Sequence, residues 1–291
     1  MTYPSMSRIV AIAATLSLAL TAAGVGLWFW SDGALDTSSL LDRDTFRCLS
    51  ASESMRTIGY ARHTRKAAQI KRIDRLLGHD LEALDAAKLR SERAILAWEG
   101  EDARFLRDCA EAYYTPGGTG LRETFGDPPA AMDYGPTQAS FEAALAEVPE
   151  RLRPHGFEER AALHLAEAAL ARGDAKAAIE QARKHLKEDP QGLYTDTIQL
   201  VLADALLIEG DLPGATAMYQ EVGRMRIGQD AQYARYRLSM LLRAQGDEAE
   251  AEVLYEDVLE WAERGGRVPV ERALQPGDAP MPPLPIPRPA P

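Results

Sequence analysis

Asparagine is absent from the 291 residues of this chain, and cysteine and histidine are rare, with two and five copies. Without asparagine the chain has no acceptor for N-linked glycans. It contains no Cys-x-x-Cys pair and no Cys/His spacing typical of zinc sites. The histidines show no metal-ligand spacing, and no Ser/His/Asp or Cys/His catalytic signature stands out. The sequence therefore predicts a protein that is not an enzyme and has no cofactor or metal.

Positive charge is also in deficit. The chain has 33 Lys and Arg against 44 Asp and Glu, a formal net charge of −11. A protein this acidic lacks the overall positive field that nucleic acid binding requires, so we expect no nucleic acid partner. The hydrophobic content of 46% is enough for the core of one or two domains.

The two cysteines, Cys48 and Cys109, both precede the repeats described below. In an oxidising compartment they can form one disulfide, which would staple the helices near the start of the chain. The alternative is two unpaired thiols, and the sequence leaves both open. No lipobox cysteine is present, so lipid anchoring has no support.

Residues 9–30 (IVAIAATLSLALTAAGVGLWFW) form a run of 22 residues without charge. As a helix this run would measure roughly 33 Å, enough to cross a bilayer core. It ends in a Trp-Phe-Trp triplet typical of a membrane interface. The run predicts an uncleaved transmembrane anchor with residues 1–8 inside, and so a single-pass bacterial inner-membrane protein with its bulk in the periplasm. The alternative is a secretory signal peptide cleaved near Ala22 or Ala23.

The remainder divides by composition and periodicity. We predict the following segments: a linker (31–51), a helical membrane-proximal region (52–114), a Gly/Pro-rich loop (115–136), a helix and connector (137–156), helical repeats (157–265) and a Pro-rich tail (266–291). Gly78 and Asp80 predict a break within the helical region.

Basic residues cluster in the first half of that helical region, relieved only by Asp74: Arg56, Arg62, Arg65, Lys66, Lys71, Arg72 and Arg75. A solvated helix face explains such a block. The alternative is contact with anionic lipid headgroups.

The dipeptide Gly-Asp recurs at Gly173, Gly210 and Gly246, each time with alanine four residues after the aspartate. The spacings, 173 to 210 and 210 to 246, are 37 and 36 residues. This period is typical of a helical solenoid, in which glycine takes the turn between two helices and aspartate caps the second one. Arg172-Gly173-Asp174 is therefore interpreted as a turn and not as an adhesion signal.

These hairpins resemble the tetratricopeptide repeat (TPR), over about 110 residues from Glu158 to near Gly265. The first copy, closing in Asp189-Pro190, is the most similar, whereas the second has Arg226-Ile227 at that place, which predicts a longer junction. The resemblance implies an all-α fold. The expected order is an N-terminal transmembrane helix, a helical region, a TPR-like α-solenoid of about three helix-turn-helix repeats and a disordered Pro-rich tail.

In that family the first helix of each pair lines a concave wall that binds peptides or partner helices. Carried over one by one, the wall positions are Arg160, Leu163, Glu167 and Leu170 in the first copy, Thr197, Leu200, Asp204 and Leu207 in the second, and Tyr233, Tyr236, Met240 and Arg243 in the third. The family variant that grips a C-terminal carboxylate needs lysine and asparagine at several of these places, so that activity is not expected. Alternatively, several of these side chains pack against the helix 137–148 or the neighbouring copy.

The sequence thus predicts a membrane-anchored TPR scaffold or adaptor that binds a peptide segment or helix of a protein in the cell envelope. The alternative is a non-catalytic structural or accessory subunit of a larger membrane complex, with its repeats buried against fixed neighbours.

Overall fold

The computed structural model describes residues 42–49, 53–113, 132–225 and 228–264. These residues form ten α-helices and no strand. In chain order the helices are α1 (Arg43–Leu49), α2 (Glu53–Leu77), α3 (Ala83–Tyr113), α4 (Tyr134–Glu147), α5 (Phe157–Ala171), α6 (Ala175–Glu188), α7 (Thr195–Ile208), α8 (Leu212–Gly223), α9 (Gln229–Gln245) and α10 (Glu248–Arg264).

The expected fold class needs a correction. Although the described part is entirely helical, none of its helices is long and apolar enough to cross a membrane, so the expected class with a transmembrane helix is wrong as stated. The run on which that expectation was based, residues 9–30, lies outside the described residues, as do the Pro-rich tail, most of the loop 115–136 and the junction at Arg226-Ile227.

Helices α2 and α3 form a long antiparallel hairpin. Arg93 Nε lies 2.6 Å from Asp74 Oδ1 near the turn, Lys66 pairs with Glu99 further along, and His63 Nδ1 lies 3.0 Å from the carbonyl oxygen of Gly100. The residue numbers of these contacts rise along α3 while they fall along α2, so the two helices are antiparallel. The turn between them contains Gly78, whose N–H donates to the Asp74 carbonyl at 3.2 Å.

The three Gly-Asp sites form equivalent turns of three further hairpins, α5/α6, α7/α8 and α9/α10. The φ angles of Gly173, Gly210 and Gly246 are 79°, 84° and 90°, a region that costs any residue with a Cβ about 1–2 kcal/mol. In every turn the aspartate N–H donates at 2.9 Å to the carbonyl five residues earlier: Asp174 to Ala169, Asp211 to Leu206, and Asp247 to Leu242. The hydrogen-bond register is identical, so the sequence repeat corresponds to a structural one.

Stacking of these hairpins is made possible by small side chains. Ala178, Ala215 and Ala251, four residues after each aspartate, are completely buried. The first helices, α5, α7 and α9, contact one another in chain order and form one layer. Helix α6 packs between α5 and α7, α8 packs between α7 and α9, and α10 packs on α9. Burying a side chain such as Leu200 in this core contributes roughly 1.5–3 kcal/mol.

Helix α1 lies in the segment expected to be a linker. Asp42 begins it by capping, since its Oδ1 accepts a hydrogen bond from the Thr45 N–H at 2.7 Å. Phe46 at its centre is completely buried. This short helix contacts α3 on one side and α9 on the other, and so joins the α2/α3 hairpin to the repeats.

Candidate functional site

The wall predicted to bind a partner is largely covered. Seven of its twelve residues are at most 7% exposed: Leu163, Glu167, Leu200, Asp204, Leu207, Tyr233 and Tyr236. The other five are partly exposed: Arg160, Leu170, Thr197, Met240 and Arg243. The positions do lie on the first helix of each hairpin, but the wall differs from the open surface that the sequence led us to expect.

Helix α1 covers the part of the wall formed by the third repeat. The Phe46 ring lies 5.4 Å from the Tyr233 ring and 5.9 Å from the Tyr236 ring, measured between centroids, and 6.1 Å from Trp261. Aromatic side chains bury more area than most others, so Phe46 is the apolar anchor of α1.

A buried guanidinium is the polar anchor. Arg43 of α1 forms an ion pair with Glu167 and lies 3.6 Å from Asp230, which also accepts a hydrogen bond from Thr197 at 2.7 Å. Burial raises the pKa of Glu167 to about 6, although Arg43 acts in the opposite direction. The repeats therefore contact α1 in two ways. Two acids, Glu167 and Asp230, lie beside Arg43, and aromatic side chains pack on Phe46.

The other side of α1 is attached to α3. Cys48 and Cys109 form a disulfide across 61 residues of sequence, and both side chains are buried. Arg47 pairs with Asp102 of α3, and Asp44 accepts a hydrogen bond from the Tyr134 hydroxyl at 2.8 Å. Helix α1 is thus held in place by a disulfide, an ion pair and a hydrogen bond.

Asp204 lies at the centre of a buried polar cluster in the repeats. It accepts hydrogen bonds from the hydroxyls of Tyr219 and Tyr233, the latter at 3.0 Å to each oxygen, and from Arg237 Nε at 3.2 Å and Nη2 at 3.1 Å. Burial raises the pKa of both tyrosines well above the usual value, so they remain protonated donors. Neither Tyr219 nor Arg237 is among the wall residues predicted from the sequence. The spacing of Tyr233 and Arg237, one helical turn apart, was the available signal.

His164 of α5 is the most enclosed histidine. Its Nε2 lies 2.8 Å from the Thr137 hydroxyl of α4, and its ring packs against Tyr134, Phe141 and Trp98. Burial lowers its pKa to about 4. The residue is therefore neutral at pH 7 and contributes to the packing of α4 on α5.

This histidine should make the protein sensitive to acid. Its folded-state pKa lies below the ordinary value of about 6.5, so on acidification the unfolded chain takes up the proton first. The stabilisation is complete above about pH 6.5 and should decrease by about 3 kcal/mol as the pH falls to 4. Glu167 acts oppositely: because burial raises its pKa from 4.5 to about 6, the stability that it contributes is present below about pH 4.5 and is lost as the pH rises to about 6.

Urea denaturation of wild type and His164→Gln at several pH values between 4 and 7 would measure this contribution. We expect the free energy of unfolding of the variant to depend less on pH than that of wild type. Parallel pH profiles would contradict the assignment.

A cavity of about 540 Å³ remains open beside α1. It lies between the α2/α3 hairpin and the first two repeats. Its lining includes Arg62 and Arg65 of α2, Trp98 of α3, Leu163 of α5 and Tyr194, which precedes α7. The arginines come from the basic block of α2, so part of that block faces a concave surface. Two residues of the predicted wall besides Leu163 reach it: Glu167 and Thr197.

Neither the covered wall nor the cavity has the layout of a metal site. Within the described ranges, no group of three or more His, Cys, Asp or Glu is arranged to hold a metal ion. No protein-family model, curated protein or solved structure matches the chain.

Proposed function

We propose that this chain is a non-enzymatic helical-repeat scaffold, similar to TPR proteins, that binds a polypeptide segment of a partner protein. The supporting observation is that the inner wall of the repeats already holds a short helix, α1, through Phe46 and Arg43. A surface that accommodates one helical segment with an apolar and a charged anchor has the chemistry of helix-in-groove recognition. The cavity beside α1 is the part of this surface still open to a partner.

A second candidate is a structural subunit of a larger assembly. It is favoured by the disulfide between Cys48 and Cys109, which keeps α1 on the wall so that nothing is exchanged there. In this alternative the repeats stabilise the fold of the chain itself, and any neighbouring subunit stays bound and is not exchanged.

Site-specific photo-crosslinking separates the two functions. A photoreactive amino acid in place of Ile58, which lines the cavity and is 42% exposed, should capture a partner in cells that express the chain. The matched control is Val253 of α10, which is 60% exposed and does not line the cavity. A partner captured from position 58 and not from 253, and displaced by excess untagged chain, supports the scaffold.

One partner in constant stoichiometry that excess chain does not displace would favour the structural subunit. The same products from both positions, or none from position 58, would contradict the proposal that the cavity is the docking surface.

A further inference from the structure

More positive than negative side chains line the cavity. Five cationic side chains face three acidic ones: Arg43, Arg47, Arg62, Arg65 and Lys66 against Glu99, Asp102 and Glu167. This positive surplus stands in a chain whose formal net charge is −11. The cavity therefore differs in sign from the protein as a whole.

All three acids are already paired with cations of the same lining: Glu167 with Arg43, Asp102 with Arg47, and Glu99 with Lys66. Arg62 and Arg65 are left over. Both are exposed on α2, and within the part of the chain that the structure describes neither forms an ion pair or side-chain hydrogen bond. One helical turn apart, they lie on the same face of α2.

Apolar side chains lie in the same lining. Trp98 packs edge-on against Tyr194 with ring centroids 5.9 Å apart, and Leu106 and Leu163 add aliphatic surface. Ile58, on the same helix as the two arginines, is 42% exposed, so it offers apolar surface to a ligand in the cavity. A ligand that matches this lining needs negative charge and apolar surface side by side.

We propose that the cavity binds an acidic segment of a partner protein, in which Asp or Glu carboxylates pair with Arg62 and Arg65 while a neighbouring bulky apolar side chain packs on Ile58. This inference rests on the scaffold function above and names the chemistry of its partner. A cavity of about 540 Å³ lies within the usual range of roughly 300–1,000 Å³ for enclosed sites, so it accommodates a few side chains and not a whole helix.

Other sources of negative charge fit less well. Inorganic phosphate would satisfy the arginines but leave the exposed part of Ile58 uncovered. A flat membrane surface does not follow a concave lining to which α1, α2, α3 and α5 all contribute. A flexible peptide segment supplies both kinds of group and follows the shape of the cavity. Because the protein as a whole carries net negative charge, an acidic segment is attracted to this cavity and repelled by the rest of the protein.

Peptide display on the full-length chain tests the proposal. A library of random 12-residue peptides is selected on wild type, on Arg62→Glu/Arg65→Glu and on the control Lys71→Glu/Arg72→Glu, which changes two exposed basic residues of α2 outside the cavity. Peptides selected on wild type should be enriched in Asp or Glu next to Leu, Ile or Phe. Reversing both charges should weaken the best peptide roughly tenfold or more, with a change of less than about twofold in the control.

Three results would overturn the acidic-segment proposal. The first is no enrichment of acidic residues, and the second is equal affinity of wild type and Arg62→Glu/Arg65→Glu, with far-UV circular dichroism showing that both are folded. The third is cosedimentation with phosphatidylglycerol vesicles that this double variant abolishes while no peptide is enriched. Arg62→Gln/Arg65→Gln serves as the milder variant and should also weaken binding.

The scaffold function is tested separately. If the crosslink from position 58 persists in Arg62→Glu/Arg65→Glu, the acidic specificity fails and the scaffold stands. If acidic peptides bind but position 58 captures nothing in cells, the scaffold fails and the specificity of the cavity stands.

Discussion

Replacing both cysteines, Cys48→Ala/Cys109→Ala, is expected to lower the free energy of unfolding by about 4 kcal/mol, because the crosslink spans 61 residues and its loss frees that loop in the unfolded chain. The loss also weakens the attachment of α1, whose remaining links to α3 and α4 are hydrogen bonds and ion pairs. Urea denaturation followed by circular dichroism measures the change.

Reduction provides the internal control for this experiment. Wild type treated with a phosphine reductant should approach the midpoint of the double variant, which itself should not respond. Equal urea midpoints for oxidised wild type and the variant, or two alkylatable thiols in native wild type, would contradict the result expected here.

Asp204→Ala is expected to cost about 3–5 kcal/mol, because it leaves the buried guanidinium of Arg237 without its counter-charge and two tyrosine hydroxyls without their acceptor. Arg237 is only 6% exposed, so water does not replace the carboxylate. Asp204→Asn keeps an acceptor but not the charge. Its free energy of unfolding should lie between those of wild type and Asp204→Ala.

Arg243→Ala is the matched control on α9. Its ion pairs with Glu252, at 2.7 Å, and with Glu248, at 3.3 Å, have acids that are more than half exposed, so their loss should cost less than about 1 kcal/mol. Urea denaturation of the three variants compares these values. If Asp204→Ala lowers the free energy of unfolding by less than Arg243→Ala does, the buried cluster is not a stabilising feature.

The hairpins of the repeats could be recognised from sequence because their signals are local. Gly210 needs its positive φ, Asp211 caps the following helix through the Gly214 N–H at 3.0 Å, and Ala215 fills the contact between helices. All three lie within six residues, so a repeated pattern of letters is enough to reveal them. The helical face of the predicted wall followed from the same periodicity.

Helix α1 could not be recognised in this way. It has seven residues, too few for helix propensity or periodicity to be informative, and four of its flanking and internal residues are charged: Asp42, Arg43, Asp44 and Arg47. Such a sequence is typical of a linker. Its helical state depends on contacts with residues far away in the chain, such as Phe46 on Tyr233 and Arg43 on Glu167.

By itself the sequence determined the turns, the helix pairs they join and the face of each pair that points inward, because glycine conformation, capping and apolar spacing act over one or two helical turns. Only the tertiary structure decided what covers that face. Packing brings α1 against α3 and α9 and leaves Arg62 and Arg65 over an open cavity, since burial and charge pairing are set by residues more than a hundred positions apart, as between Arg43 and Glu167.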